Sequence, residues 1–251
     1  MNFMPPKDFP QESFQEFGKC ASGLLPAALS DEALSDPLQR QYQFVRSWQA
    51  ARFRYRACCE ANDEFKSLFA NATELFREWN SDEEHWYKIE RYLYTFFTNG
   101  LSVFESFGFC LYFIGNAIAP LKFVHVKDPR KITLKVTSEA FGAAFPNTAI
   151  TDRLVRLRKD SQFCELDSIR NILAHRISGM RSVRSRSIRE LDGTFTRSRE
   201  DVLYLHGANE AQYDEELIQR HLNGITSTLT AMVTAALEFV RGAQKYRTAT
   251  P

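Results

Sequence analysis

The sequence predicts an all-α protein, an up-and-down helical bundle with one small β-hairpin insertion near residues 186–205. Three observations predict it. The 251 residues hold only 11 Gly and 9 Pro, too few turn-formers for the repeated reversals of a sandwich or barrel. Apolar residues recur three or four positions apart through long stretches, the rhythm of one helical face. A single segment, 180–206, departs from that rhythm: alternating and β-branched residues flank Asp192-Gly193, the dipeptide that suits a tight primed turn. With 44% hydrophobic and 25% charged residues, the chain can bury a sizeable core, and a largely disordered chain is excluded.

Residues 1–36, with Pro5, Pro6, Pro10 and Pro26 and a short apolar rhythm at Phe14, Phe17 and Leu24-Leu25, read as a loosely packed N-terminal arm. One domain is expected over 37–247, since no repeat or linker interrupts it. From Leu38 to Asn80 there is neither Gly nor Pro, and Tyr42, Val45, Trp48, Tyr55, Phe65, Leu68-Phe69 and Leu75-Phe76 mark one long helix, or two broken near Asn62. Ser81 and Glu84 form a capping-box pair that starts the next helix. It runs through Trp86, Ile89, Leu93, Phe96-Phe97, Phe104, Phe107, Leu111, Ile114 and Ile118 to Pro120, and is expected to be the most buried of all.

Residues 93–119 of that helix are long enough to cross a bilayer and carry one charge, Glu105. A carboxylate mid-span costs about 2.5 to 3.5 kcal/mol if it behaves as Asp does, and several polar residues accompany it. The stretch therefore reads as the central helix of a bundle, with no membrane involved. A buried carboxylate needs a partner, so Glu105 is expected to support the site by facing Arg170 or another Arg.

Further on, Thr137-Ser138 read as caps of a short helix over Glu139 to Phe145, Thr151-Asp152 as the opening of another through Leu157, and Ser161 as the cap of a third. The third places Phe163, Leu166, Ile169, Ile172-Leu173 and Ile177 inward and ends at Gly179. After the hairpin, Asp214 opens a last helix whose Ile218, Leu222, Ile225, Leu229, Met232, Ala236 and Phe239 alternate four and three apart, the seam of a packed bundle helix.

Net charge is only +1, from 32 Lys+Arg against 31 Asp+Glu, so nucleic-acid binding requires a local patch. One exists. Residues 176–199 hold Arg176, Arg181, Arg184, Arg186, Arg189, Arg197 and Arg199 against only Glu190 and Asp192, the expected phosphate-tracking surface. Arg52, Arg54 and Arg56 form a smaller cluster that reads as a solvated helix face. The five Cys (20, 58, 59, 110 and 164) show no paired zinc spacing and read as reduced thiols. His85, His125, His206 and His221 lack ligand-like spacing and no glycine-rich phosphate loop occurs, so no metal and no cofactor are expected. The N-terminus has no cationic start followed by an apolar run, which makes the expected location cytoplasmic.

The informative string is Arg170-Asn171 followed by His175 on the third of the short helices. His exchanges a proton near neutral pH and Arg is a permanent fork for phosphate oxygens, a pair suited to RNA cleavage. The bland reading of the same residues pairs Arg170 with Asp167 or Glu165 and buries His175 at an interface. On an ideal helix Asn171 and His175 lie one turn apart, whereas Arg170 and His175 diverge by about 140°. One copy thus makes a poor pocket.

The string resembles the signature of the HEPN superfamily: an Arg, four to six residues, then a His, with a polar residue commonly next to the Arg, on a helix of an all-α bundle. Arg170, Asn171 and His175 match it without substitution, and the resemblance extends over residues 40–245, although only those three are specific to the motif. It implies a metal-independent endoribonuclease of toxin or defence type, in which a 2′-hydroxyl attacks the adjacent phosphate. His175 would act as general base or acid, Arg170 would neutralise transition-state charge, and Asn171 would orient one or the other. The resemblance also implies a homodimer whose two motifs face one cleft, RNA as partner, and an antitoxin or regulatory protein. Its other implication is a non-catalytic module that binds nucleic acid or a protein partner.

Overall fold

The computed structural model of the chain describes residues 8–25, 37–77, 83–124, 128–174, 180–189, 195–206 and 211–248. Among them seven α-helices dominate, in keeping with the all-α expectation: α1 (Gln11–Leu24), α2 (Pro37–Arg77), α3 (Glu83–Ile118), α4 (Leu134–Ala144), α5 (Ala149–Leu157), α6 (Ser161–Ala174) and α7 (Glu215–Thr248). Strands β1 (Met180–Arg189), β2 (Phe195–His206) and β3 (Ala211–Tyr213) form one antiparallel sheet in that order. The turn at Asp192-Gly193 and the capping pair's Ser81 lie outside the described residues. α2 is a single helix of 41 residues, unbroken at Asn62, whose buried amide donates to Asp63 Oδ1.

The described residues gather into two compact units. The first draws on Met1–Arg56, Asn99–Glu165 and Gly224–Pro251, the second on Ala57–Thr98 and Leu166–Asn223. The divisions fall inside or beside α2, α3, α6 and α7 rather than at linkers, so no shift of composition marks them.

In the first unit the expected loose arm is corrected by α1, which is packed. Phe14 and Phe17 are fully buried; Phe14 stacks on Trp48 at 5.3 Å, and the Trp48 indole N–H donates to the Phe14 carbonyl at 3.3 Å. Gly18 permits this approach, because a β-carbon there would stand 2.8 Å from the Trp48 ring. Phe107 of α3 touches Phe14 and Phe17 at 6.2 and 5.4 Å. A short apolar rhythm suffices for α1 because each of its large side chains finds an aromatic partner, worth about 0.5 to 1.5 kcal/mol per ring pair beyond area burial.

A second aromatic knot closes the same unit, with Phe123 against Tyr112 and Phe141, and Phe145 against Phe239. α3 is long and apolar enough to cross a membrane by composition, and 67% of its most apolar window is buried within the protein.

Two helix starts differ from the sequence expectation, and one shifts by a residue. α4 begins at Leu134, with Thr133 accepting from the Val136 N–H; Thr137 is buried instead and donates to the Gly108 carbonyl at 3.2 Å. α5 is capped by Thr148, while the Thr151 hydroxyl donates to the Phe145 carbonyl at 2.8 Å. Asp160 caps α6 by accepting from the Phe163 N–H at 3.0 Å. In each case a nearby hydroxyl or carboxylate competes for the cap, and for α4 the contact of Thr137 with the Gly108 carbonyl of α3 removes one competitor.

In the second unit Phe97 of α3 meets the buried Tyr213 and His221 rings edge-on at 6.2 and 5.4 Å. Asp214 caps α7 by accepting from the Leu217 N–H at 2.8 Å. The register of β1 and β2 sets Arg184 opposite Asp201 and Arg186 opposite Arg199, and shifts between Arg186 and Ser187.

Candidate functional site

α6 carries Arg170 and Asn171 in the second unit. Its buried positions there are Leu166, Ile169 and Leu173, a stripe at helical spacing. Measured from Leu166 at 100° per residue, Ile169 and Leu173 lie about 60° and 20° to one side, Arg170 about 40° to the other, and Asn171 about 140° away. Arg170 accordingly lies half-buried at the border of the apolar face, and Asn171 is exposed. His175 and Arg176 lie outside the described residues, so the pairing of Arg170 with His175 has no geometry here.

Of the acids near Arg170, the structure selects Asp167: Arg170 Nη2 donates to Asp167 Oδ1 at 2.6 Å, one turn back on the same helix. The two side chains are 35% and 45% exposed, which limits such a pair to about 1 kcal/mol or less. Arg170 Nε is buried and has no hydrogen-bond partner among the described residues. The guanidinium is thus held by a weak, water-exposed ion pair, with its buried Nε left unsatisfied among the described residues.

Arg181, Arg184, Arg186 and Arg189 all fall on β1. Arg197 and Arg199 fall on β2, where Arg186 stands directly opposite Arg199.

Contrary to the buried position expected of it, Glu105 is exposed and makes no ion pair among the described residues; expected to face Arg170 or another Arg, it belongs to the first unit, where Arg46 and Arg54 share its surroundings. α3 buries Leu101, Val103, Phe104, Phe107 and Leu111, and the one charge of the apolar stretch takes the side left to water. There it lines a cleft of about 620 Å³ with Arg46, Phe53 and Arg54 of α2 and Phe109 of α3. Arg54 belongs to the cluster read as a solvated face. Arg46, Ala50, Phe53 and Arg54 sit on one helical stripe, a signal visible in the sequence, but nothing there pairs the stripe with Glu105 and Phe109.

Burial pushes the thiols of Cys58 and Cys110 well above their ordinary range, with neighbouring Cys59 adding to the effect at Cys58. Neither is a thiolate nucleophile near neutral pH. Among the described residues no group of three or more His, Cys, Asp or Glu gathers in a metal-binding arrangement.

No protein-family model, curated protein or solved structure matches the chain.

Proposed function

We propose that the chain is a HEPN-like up-and-down helical bundle with a hairpin insertion near 186–205, acting as a metal-independent endoribonuclease of toxin or defence type. The supporting observation is the state of Arg170: half-buried, with an unfilled Nε and only a weak exposed partner, adjacent to an exposed Asn171 and five residues before His175. In the proposed reaction the ribose 2′-oxygen attacks the adjacent phosphorus as its proton passes to a base. The 5′-oxygen leaves with a proton from an acid, and the products are a 2′,3′-cyclic phosphate and a 5′-hydroxyl end. His175 serves as base or acid. Arg170 meets the charge that builds on the phosphate oxygens, and Asn171 orients His175 or the phosphate. Arg176, Arg181, Arg184, Arg186 and Arg189 carry the RNA strand.

Because Arg170 and His175 diverge on one helix, the proposal includes a cytoplasmic homodimer that brings two motifs to one cleft, held in check by an antitoxin or regulatory protein. A second reading, a non-catalytic module that binds nucleic acid or a protein, is favoured by the Arg170–Asp167 pair itself, which leaves Arg170 partly neutralised if it persists with RNA bound.

The test is cleavage of RNA by the purified chain in EDTA, beside His175→Ala. Cleavage by the wild type that His175→Ala abolishes supports the nuclease. Binding without cleavage selects the nucleic-acid-binding module, and neither binding nor cleavage overturns the nuclease and leaves only the protein-binding form of the module. Equal cleavage by both chains removes His175 from the mechanism. Mixing Arg170→Ala with His175→Ala chains then reports on the composite dimer: restored activity in the mixture supports it.

A further inference from the structure

We propose that the outer edge of β1 is the docking site for an acidic extended segment of a regulatory protein, which joins the sheet as a further strand and excludes RNA from it. The exclusion rests on the proposed role of the β1 arginines in carrying RNA; the docking itself does not. The strands are ordered β1-β2-β3, so β1 pairs with β2 on one side only. Its ten residues, Met180–Arg189, carry an edge that no strand covers among the described residues. At about 3.4 Å per residue that edge is roughly 34 Å long. In an antiparallel ladder alternate residues turn their N–H and C=O groups away from the partner, and the open side of β1 is therefore a row of donors and acceptors able to pair with another chain.

Charge decides between the open edges of this sheet and names the occupant. β1 contains Arg181, Arg184, Arg186 and Arg189 and no acidic residue. β2 is also uncovered on its far side from Phe195 to Leu203, because β3 pairs only with Tyr204, Leu205 and His206, but there Arg197 and Arg199 are balanced by Glu200 and Asp201. The register sets those two acids opposite Ser185 and Arg184, while Arg181, Arg186 and Arg189 stand opposite Tyr204, Arg199 and Phe195. Three of the four Arg positions on the edge strand thus have no acid opposite them, and the surplus charge of the two long strands falls on the strand whose edge is open.

Other occupants use the edge less well. A second copy of the chain, β1 laid against β1, brings eight Arg positions, four from each copy, into one two-stranded ladder without an acid, and like charges opposed across strands repel. RNA uses the Arg positions but leaves the ladder groups of the edge unpaired. A neutral strand does the reverse. An acidic strand uses both: its backbone continues the ladder along β1, and its carboxylates stand at cross-strand or diagonal distance from the Arg positions. In strand addition of this kind the backbone supplies affinity and the side chains supply selectivity. Carboxylates of the partner and phosphates of RNA then claim the same Arg positions, so the two exclude each other.

The probe is a fluorescent peptide of about ten residues alternating Glu and Val, titrated into the full chain beside its Lys-Val analogue and a Glu-Val peptide N-methylated at consecutive central residues, which cannot continue a ladder on either edge. The Glu-Val peptide is expected to bind at least about tenfold more tightly than either control, to protect the amides of alternate β1 residues from hydrogen exchange, and to displace a bound RNA oligonucleotide. Replacing Arg181, Arg184 and Arg186 together by Gln should weaken it about tenfold, with unchanged exchange of the β1–β2 ladder amides showing that the sheet is intact. No binding of the Glu-Val peptide, equal binding of the N-methylated one, or binding without new protection in β1 overturns the docking site. Protection of β1 in the peptide-free chain that grows with protein concentration assigns the edge to a second copy and overturns the acidic occupant. Docking that leaves bound RNA in place overturns the exclusion. A chain that docks the peptide and binds no RNA supports the edge site and removes the RNA role of β1.

Discussion

Gly115→Ala tests the packing that holds the segment after α3. A β-carbon at residue 115 would stand 2.2 Å from Cζ of Phe123, 2.5 Å from Cε1 and 2.9 Å from Cε2. Restoring the 3.4 Å of ordinary contact moves the ring by about 1.2 Å. The ring has nowhere to go: Phe123 is fully buried, edge-on to Tyr112 at 5.0 Å and Phe141 at 5.5 Å, and the Asn116 amide donates to its carbonyl at 3.1 Å. Disturbing two ring pairs costs about 1 to 3 kcal/mol, overpacking strain falls in the same range, and the two overlap to about 2 to 4. Replacing Gly by Ala inside a helix returns about 1 kcal/mol. The expected net loss is about 1 to 3 kcal/mol. Gly242→Ala in α7 is the control, because no atom lies within 4 Å of a β-carbon there, and it should gain about 0.5 to 1 kcal/mol. Urea unfolding reads both, provided the m-value is unchanged. If Gly115→Ala matches or exceeds wild type while Gly242→Ala gains, the close contact of Phe123 with α3 is wrong.

Asp167→Asn releases Arg170 from its ion pair. Stability should shift by no more than about 1 kcal/mol, given the exposure of both side chains, while RNA binding by fluorescence anisotropy tightens severalfold; unaltered binding would remove Arg170 from the RNA surface. Replacing Arg181, Arg184 and Arg186 together should weaken RNA binding and reduce the slope of log K against log salt by about 0.7 per lost contact on a single strand, and an unchanged slope would leave the ribbon merely solvated. Cys58 and Cys110 are raised above their ordinary 9.0 in the folded chain, so the unfolded thiols ionise first. Their contribution is complete below about pH 9 and falls as pH rises above it, by about 1.4 kcal/mol per pH unit for each thiol. Urea midpoints followed from about pH 8 to 10 should fall less steeply in Cys58→Ala than in wild type; parallel curves would mean that burial does not keep the thiol neutral.

Helix positions were legible because their signal is local. The apolar rhythms around Trp86 to Ile118 and Ile218 to Phe239 repeat within one turn of chain and needed no partner to be read, and Asp214 was identifiable as a helix opening from type and place alone. The Arg170-Asn171 string and its neighbour Asp167 were legible for the same reason, three residues apart on one helix. Choices between near-equal local options were not. Thr133 and Thr137 offer similar hydroxyls four residues apart, and the Gly108 carbonyl on α3 takes one of them out of the competition. The buried rings of α1 likewise wait for Trp48 and Phe107, which no short window contains. Glu105 shows the limit most plainly. A lone charge in an apolar stretch is equally consistent with a buried pair and an exposed rim; its surroundings depend on how distant segments pack, and packing set it beside Arg46 and Arg54. Periodicity within the chain determined which residues form helices and which of their faces are apolar. Tertiary structure alone decided which polar residues meet, because that depends on contacts summed over residues far apart in sequence.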